Sequence, residues 1–320
     1  MRRAKAERTV DTVQAGGGNR GALYGLAAYA LWGLFPLYWP LLEPAGPVEI
    51  LAHRCLWSLV AVGAVLTVRR QWSWVRPLLA DRRRLRLLVL AAVAISGNWG
   101  MYIYGVNSHQ VVQTSLGYFI NPLVTVLLGV VVLHERLTRA QTVAVAFGAI
   151  AVLVLTASYG HPPWIALFLA GSFGSYGLLK KKADTGALES LTTETGVLAL
   201  PAVGYLIWLG ASGTGTATRS AGHAALLVGS GVVTAIPLLL FGAAATRLPL
   251  TTIGLLQYLT PIMQLLLGVL VRHEPLPPTR MVGIGLLWIG LAVYSWSSLT
   301  QYRRGRLEPA PVLTAAADGG

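Results

Sequence analysis

The sequence is poor in charge, in acid and in sulfur. Only 12% of its 320 residues are Asp, Glu, Lys or Arg, about half of the roughly 25% found in soluble domains, which excludes an ordinary water-soluble fold. A single cysteine, Cys55, excludes an intramolecular disulfide framework and a thiolate metal cluster within one chain. No Walker A motif, G-x-S-x-G elbow or Cys–His cluster occurs. Neither ATP hydrolysis, nor another enzymatic reaction, nor a cofactor or metal is therefore expected.

What the chain has is apolar length: 54% of its residues are hydrophobic. A bilayer core of about 30 Å takes roughly 20 apolar residues per helical crossing, and the runs here are of that length. A transmembrane barrel would show alternating strands of about 10 residues instead. Charges and turn residues cut the chain into ten spans, at about 21–42, 48–68, 86–107, 111–133, 140–158, 162–179, 191–210, 223–246, 249–271 and 280–298. The first run is too long for a signal-peptide core and lacks an A-x-A pattern after it, so a retained helix is expected. The tails, 1–20 and 301–320, are short and polar or small in composition and are expected to be disordered.

The excess of 25 Lys and Arg over 12 Asp and Glu is explained by topology. With ten alternating crossings, all but four basic residues fall on the side that holds both termini. Arg219, Arg272 and Arg280 fall on the other side, and Arg54 lies within a span. The positive-inside rule places the richer side, and both termini, in the cytoplasm. Basic residues scattered between spans offer no continuous face for nucleic acid. The expected partners are the lipid bilayer and a small-molecule substrate, with a homodimer left open.

The sequence also repeats. Residues 116–135 and 255–274 align without gaps at an offset of 139 with nine identities, among them Pro122/Pro261, Gly129/Gly268, His134/His273 and Glu135/Glu274. Weaker matches relate Trp32-Gly33 to Tyr176-Gly177 and Glu49 to Glu194. A repeat unit of five spans is odd, so the second copy must enter from the opposite side. Inverted repeats are the architecture of carriers that open a central site to either face.

Polar residues inside spans are costly, about 2.5–3.5 kcal/mol for a central charge on insertion scales, so each is a candidate for function. Glu49 and His53 share a face at the start of span two. Glu49 is either a carboxylate favoured by the positive helix end or a gating or proton-coupling group. Glu194 holds the matching place in span seven, near the opposite mouth, so a direct Arg54–Glu194 bridge is not expected. Arg54 either snorkels outward, meets backbone carbonyls or binds an anionic group of a substrate. Asn98 and Tyr102 share a face of span three, which Asn107 closes. Span four carries Ser115, Tyr118, Asn121 and Pro122, and span nine answers with Gln257, Tyr258, Thr260 and Pro261. Each proline frees the carbonyl four residues earlier and is expected to kink its helix where a substrate groove belongs. Trp32, Trp57 and Trp99 are candidates to line a pocket for a flat or apolar solute. His134-Glu135 and His273-Glu274 read as interfacial caps or contacts between repeats.

The runs Tyr29–Trp39 (YALWGLFPLYW), Glu49–Arg54 (EILAHR) and Ser115–Pro122 (SLGYFINP), with Asn98-Trp99, Tyr102, Asn107, Glu194, Pro237–Phe241 and Gln257-Tyr258, resemble the RarD branch of the EamA group in the drug/metabolite transporter superfamily. The resemblance covers about residues 20–300. It implies an all-α integral membrane protein of ten transmembrane helices in two inverted five-helix EamA repeats, 21–158 and 162–298, in a bacterial inner membrane. The expected activity is secondary transport, exporting small metabolites or drugs by alternating access. A non-transporting sensor or scaffold is the competing class. The expected pathway residues are Trp32, Glu49, Arg54, Asn98, Tyr102, Asn107, Tyr118, Asn121, Glu194, Gln257 and Tyr258.

Overall fold

The computed structural model describes residues 20–307 except 135, 246 and 249. The N-terminal tail to residue 19, Glu135 and residues 308–320 lie outside the described residues. Among those described, every regular element is helical: α1 (Arg20–Gly33), α2 (Phe35–Tyr38, continued by a 3-10 turn Trp39–Leu42), α3 (Pro47–Val68), α4 (Val75–Ala80), α5 (Arg82–Asn107), α6 (Val111–Leu133), α7 (Arg139–Tyr159), α8 (Trp164–Ala183), α9 (Ala187–Ser212), α10 (Ala221–Ala245), α11 (Leu250–Leu256), α12 (Leu259–Leu270) and α13 (Pro278–Leu307). Seven are long and apolar enough to cross a membrane, and eight if the bent pair α1/α2 counts as one span. Of the other expected spans, α8 ends in Lys180, Lys181 and Lys182, and span nine is split into α11 and α12. Residues 301–307, expected to be disordered, continue α13 instead.

Local chemistry explains the boundaries. Extended Gly46 precedes Pro47 at the first position of α3, with Glu49 in the first turn. The Asp81 carboxylate accepts from the backbone of Arg83 and Arg84 at 3.1 and 3.0 Å and starts α5. Thr138 and Gln141 form a capping box on α7. His134 and His273, equivalent in the repeat, are both left-handed, with φ of 55° and 53°; His134 caps the end of α6, and His273 lies in the turn that follows α12.

The bend between α1 and α2, 41°, follows from Pro36, which has no N–H for the carbonyl of Trp32. That carbonyl is served instead from the other half of the chain, by Gln264 Nε2 at 3.1 Å, and Thr260 Oγ1 donates to the carbonyl of Tyr29 at 2.7 Å. Polar side chains thus satisfy backbone that the bend exposes at membrane depth.

The helices pack mainly across the two halves: α3 on α9 and α10, α5 on α8 and α9, α6 on α8 and α12, and α7 on α13. Small residues set the closest crossing. A Cβ on Gly231 of α10 would lie 2.6 Å from the backbone nitrogen of Ser58, whose Oγ donates to the Gly231 carbonyl at 3.3 Å. Large apolar side chains such as Leu153, Leu200 and Ile207 stand 67–80% exposed, a burden in water and an ordinary surface in lipid.

Candidate functional site: a cavity open at one end

The bundle encloses a cavity of about 1900 Å³. Its walls draw on residues between 64 and 74 at the end of α3, between 176 and 191 around the α8–α9 turn and between 238 and 247 at the end of α10. None of the turns at the other end, near residues 43–47, 108–110, 160–163, 213–220 and 271–277, lines it. The cavity therefore opens where α3, α8 and α10 finish and is blind toward the end where they begin.

The blind end is aromatic around one buried cation. Arg54 is 3% exposed, and its Cζ lies 4.1 Å from the ring centroid of Trp99, 5.0 Å from Trp39 and 5.6 Å from Phe35. Cation–π contacts of about 2 kcal/mol or more when desolvated offset part of the cost of its burial. Its Nε and Nη1 have no hydrogen-bond partner. The snorkelling alternative is thus corrected: the side chain is directed inward by α3, onto rings carried by α2, α5 and the 3-10 turn. Beside it, Tyr102 and Tyr118 meet edge to face at 5.7 Å, and the Tyr102 hydroxyl is buried without a partner. Asn98, 1% exposed, donates through Nδ2 to the Leu169 carbonyl and to Ser172 Oγ, both at 3.0 Å. It thereby ties α5 to α8.

Eight of the expected pathway residues share this cavity: Trp32, Arg54, Asn98, Tyr102, Tyr118, Asn121, Gln257 and Tyr258. Glu49, Asn107 and Glu194 do not line it. Glu49 is 4% exposed and accepts from the backbone N–H and the hydroxyl of Thr216, at 2.7 and 3.0 Å. Glu194 is fully buried and accepts from Tyr176 at 3.0 Å and from Ser190, with Lys180 Nζ at 3.6 Å. Trp57, donating to His53 Nδ1 at 3.3 Å, also stays outside the cavity. Pro261 lies on the wall just after the break at Gln257-Tyr258, whereas Pro122 sits within a continuous α6.

Sequence reasoning passed over Tyr29, Phe35, Phe173, Tyr176, Phe241, Gln264 and the mouth residues Arg69, Arg70, Lys180 and Arg247, all on the wall. Gln264 carried a signal, as an amide in mid-span. Tyr29, Phe35 and Phe241 lay in the runs that carry the resemblance and Tyr176 in the repeat match, but nothing in their spacing set them on a cavity wall.

At the blind end a carboxylate also bridges two helices. The Glu274 oxygens accept from the backbone N–H of Val111 at 2.6 Å and of Val112 at 2.8 Å, capping α6 from beyond the end of α12. Burial pushes this carboxyl above its ordinary pKa, while those two N–H groups, Arg272 and His109 pull it back. The reading of His273-Glu274 as a contact between repeats fits this geometry.

A multi-pass helical bundle round a deep aromatic cavity defines a membrane protein with room for a solute inside it. The chain belongs to the EamA-like transporter family, which it matches over residues 19–157 and 162–296, and within it to the RarD branch. It is 57% identical to Protein RarD of Streptomyces exfoliatus over 89% of this chain and 91% of that one. It is 42% identical to the uncharacterized transporter YojE of Bacillus subtilis (90% and 97% covered) and 39% to Protein RarD of Escherichia coli (89% and 97%). A crystallised protein of 18% identity superposes with a TM-score of 0.56 over 88% of this chain and 98% of its own, a likeness of fold alone.

Proposed function

We propose that the chain is a secondary transporter that exports small metabolites or drugs by alternating access between two inverted five-helix halves, about 21–158 and 162–298. The observation that carries this reading is the cavity, which reaches past mid-bundle and is open at one end only. The offset of 139 supports inversion, because it pairs helices separated by five spans and aligns His134 with His273, both left-handed residues after their spans. The ten crossings follow if α1/α2, α8 and α11/α12 each span once. The basic bias of the loops supports a cytoplasmic side for the open mouth and both termini, in the bacterial inner membrane that this reading assumes.

Saturable flux of a solute into proteoliposomes, abolished by Asn121→Trp or Tyr258→Trp, is the expected result. Lack of flux across a broad metabolite panel would favour the scaffold. Inversion is tested in a Cys55→Ser background: cysteine at His134 should label only from the cytoplasm and cysteine at His273 only from outside. Labelling of both from one face contradicts it.

A further inference from the structure

We propose that the cavity selects organic anions: Arg54, with the Tyr102 hydroxyl, binds the carboxylate of a small acid whose aromatic or apolar body rests on the surrounding rings. This rests on the transport reading of the cavity and names its substrate class.

Three observations converge on it. The first is the orphaned guanidinium. Arg54 is 97% buried, two of its three nitrogens lack hydrogen-bond partners, and it makes no ion pair among the described residues. Aromatic faces stabilise its charge but accept no hydrogen bond in the plane of the guanidinium, so in-plane donor capacity remains for an oxyanion. Buried polar groups in folded proteins are nearly always paired, and an unpaired one at a site asks for its ligand. Its neighbour Tyr102 Oη is buried and unpartnered as well.

The second is the charge along the route. The cavity wall carries Arg69, Arg70 and Arg247 at the mouth and Arg54 at the blind end, against one carboxylate, Glu189; Lys180, also on the wall, is paired with Glu194 at 3.6 Å. A cleft lined by one sign of charge between low-dielectric walls concentrates the opposite ion. Glu49 lies off the wall and is held by Thr216, and Glu194, also off the wall, is held by Tyr176 and Ser190 and offsets Lys180 alone.

The third is the aromatic lining of the cavity. Trp32, Tyr29 and Phe241 stand 5.3–6.1 Å apart centroid to centroid on one wall, and Tyr118 and Phe173 are 6.2 Å apart on another. Such faces suit a flat apolar body. A single buried cation balances a monoanion, which favours a carboxylate over a phosphate dianion.

The test uses the purified full chain in detergent and in proteoliposomes, with four probes of one shape: phenylacetate, phenylacetamide, phenethylamine and phenyl phosphate. Calorimetry is expected to show saturable phenylacetate binding at least about tenfold tighter than that of the other three. Arg54→Gln should abolish the preference, and Tyr102→Phe should weaken phenylacetate about two- to fivefold. Selectivity among the probes in the unaltered chain decides the matter even where Arg54→Gln fails to fold. The proposal is overturned by equal binding of phenylacetamide or phenethylamine, tighter binding of phenyl phosphate, retained selectivity in a folded Arg54→Gln chain, or no phenylacetate binding. Flux of the amide or the amine in that event leaves the transporter standing without its anion site. Phenylacetate bound in the cavity but never moved across the vesicle would instead remove the transport reading.

Discussion

The two ends of the bundle treat their buried acids differently. At the blind end, Glu49 in the first half is held by Thr216 in the second, and Glu274 in the second half caps Val111 and Val112 in the first. At the open end, Glu194 is held by Tyr176, Lys180 and Ser190, all from its own half. Carboxylates stitch the halves together where the cavity is closed, and the acid beside the open mouth makes its contacts within one half. Acids bonded across the seam are thus expected to hold the blind end closed.

The seam itself gives the largest expected effect. Gly231→Leu drives a side chain into the backbone of α3 and should destabilise the chain by on the order of 3 kcal/mol in a denaturation measurement. Gly204→Ala, inside α9 with nothing within 4 Å of its Cβ, should not destabilise the chain and should gain up to about 1 kcal/mol from helix propensity. Equal effects would break the claim that the α3–α10 crossing is held at close range.

Next comes the contrast between acids. Glu274→Ala leaves two α6 N–H groups without a partner and should cost about 2 kcal/mol, and Glu194→Ala should cost a similar amount. Only the first should admit a membrane-impermeant thiol reagent to the cavity from the blind end. Admission by both, or by neither, would show that crossing the seam is irrelevant to closure.

The smallest effect concerns pH. The Glu274 carboxyl has a folded-state pKa raised above its ordinary value, chiefly by burial. The folded chain therefore holds this proton more tightly than the unfolded chain. The resulting contribution is present below the ordinary carboxylate pKa and is lost as pH rises through the raised one. Glu274→Gln should flatten that part of the stability profile, and an unchanged profile would assign the slope to another group.

The helical runs were legible because lipid demands long apolar segments and charges cluster at their ends. The bend at Pro36, the turn of α4 and the extension of α13 past Thr300 were not, since each depends on local hydrogen bonding that composition does not report. Arg54 stood out in the sequence as a charge inside a span, but periodicity alone left it facing lipid interface, backbone or substrate. The aromatic rings that turn it inward come from α2, the 3-10 turn and α5, and nothing in their spacing announces that they converge. The sequence left His273-Glu274 as an interfacial cap or a contact between repeats, and the target of Glu274, the first two residues of α6, became visible only in three dimensions.

The central claim is that contacts across the seam at the blind end close a cavity that is open at the other. In a Cys55→Ser background, a cysteine at Leu239 on the cavity wall should react with a membrane-impermeant maleimide from one face of the membrane in the parent chain. With Glu274→Ala added, it should react from both. Reaction from both faces in the parent, or one-sided reaction unchanged by Glu274→Ala, would contradict the account.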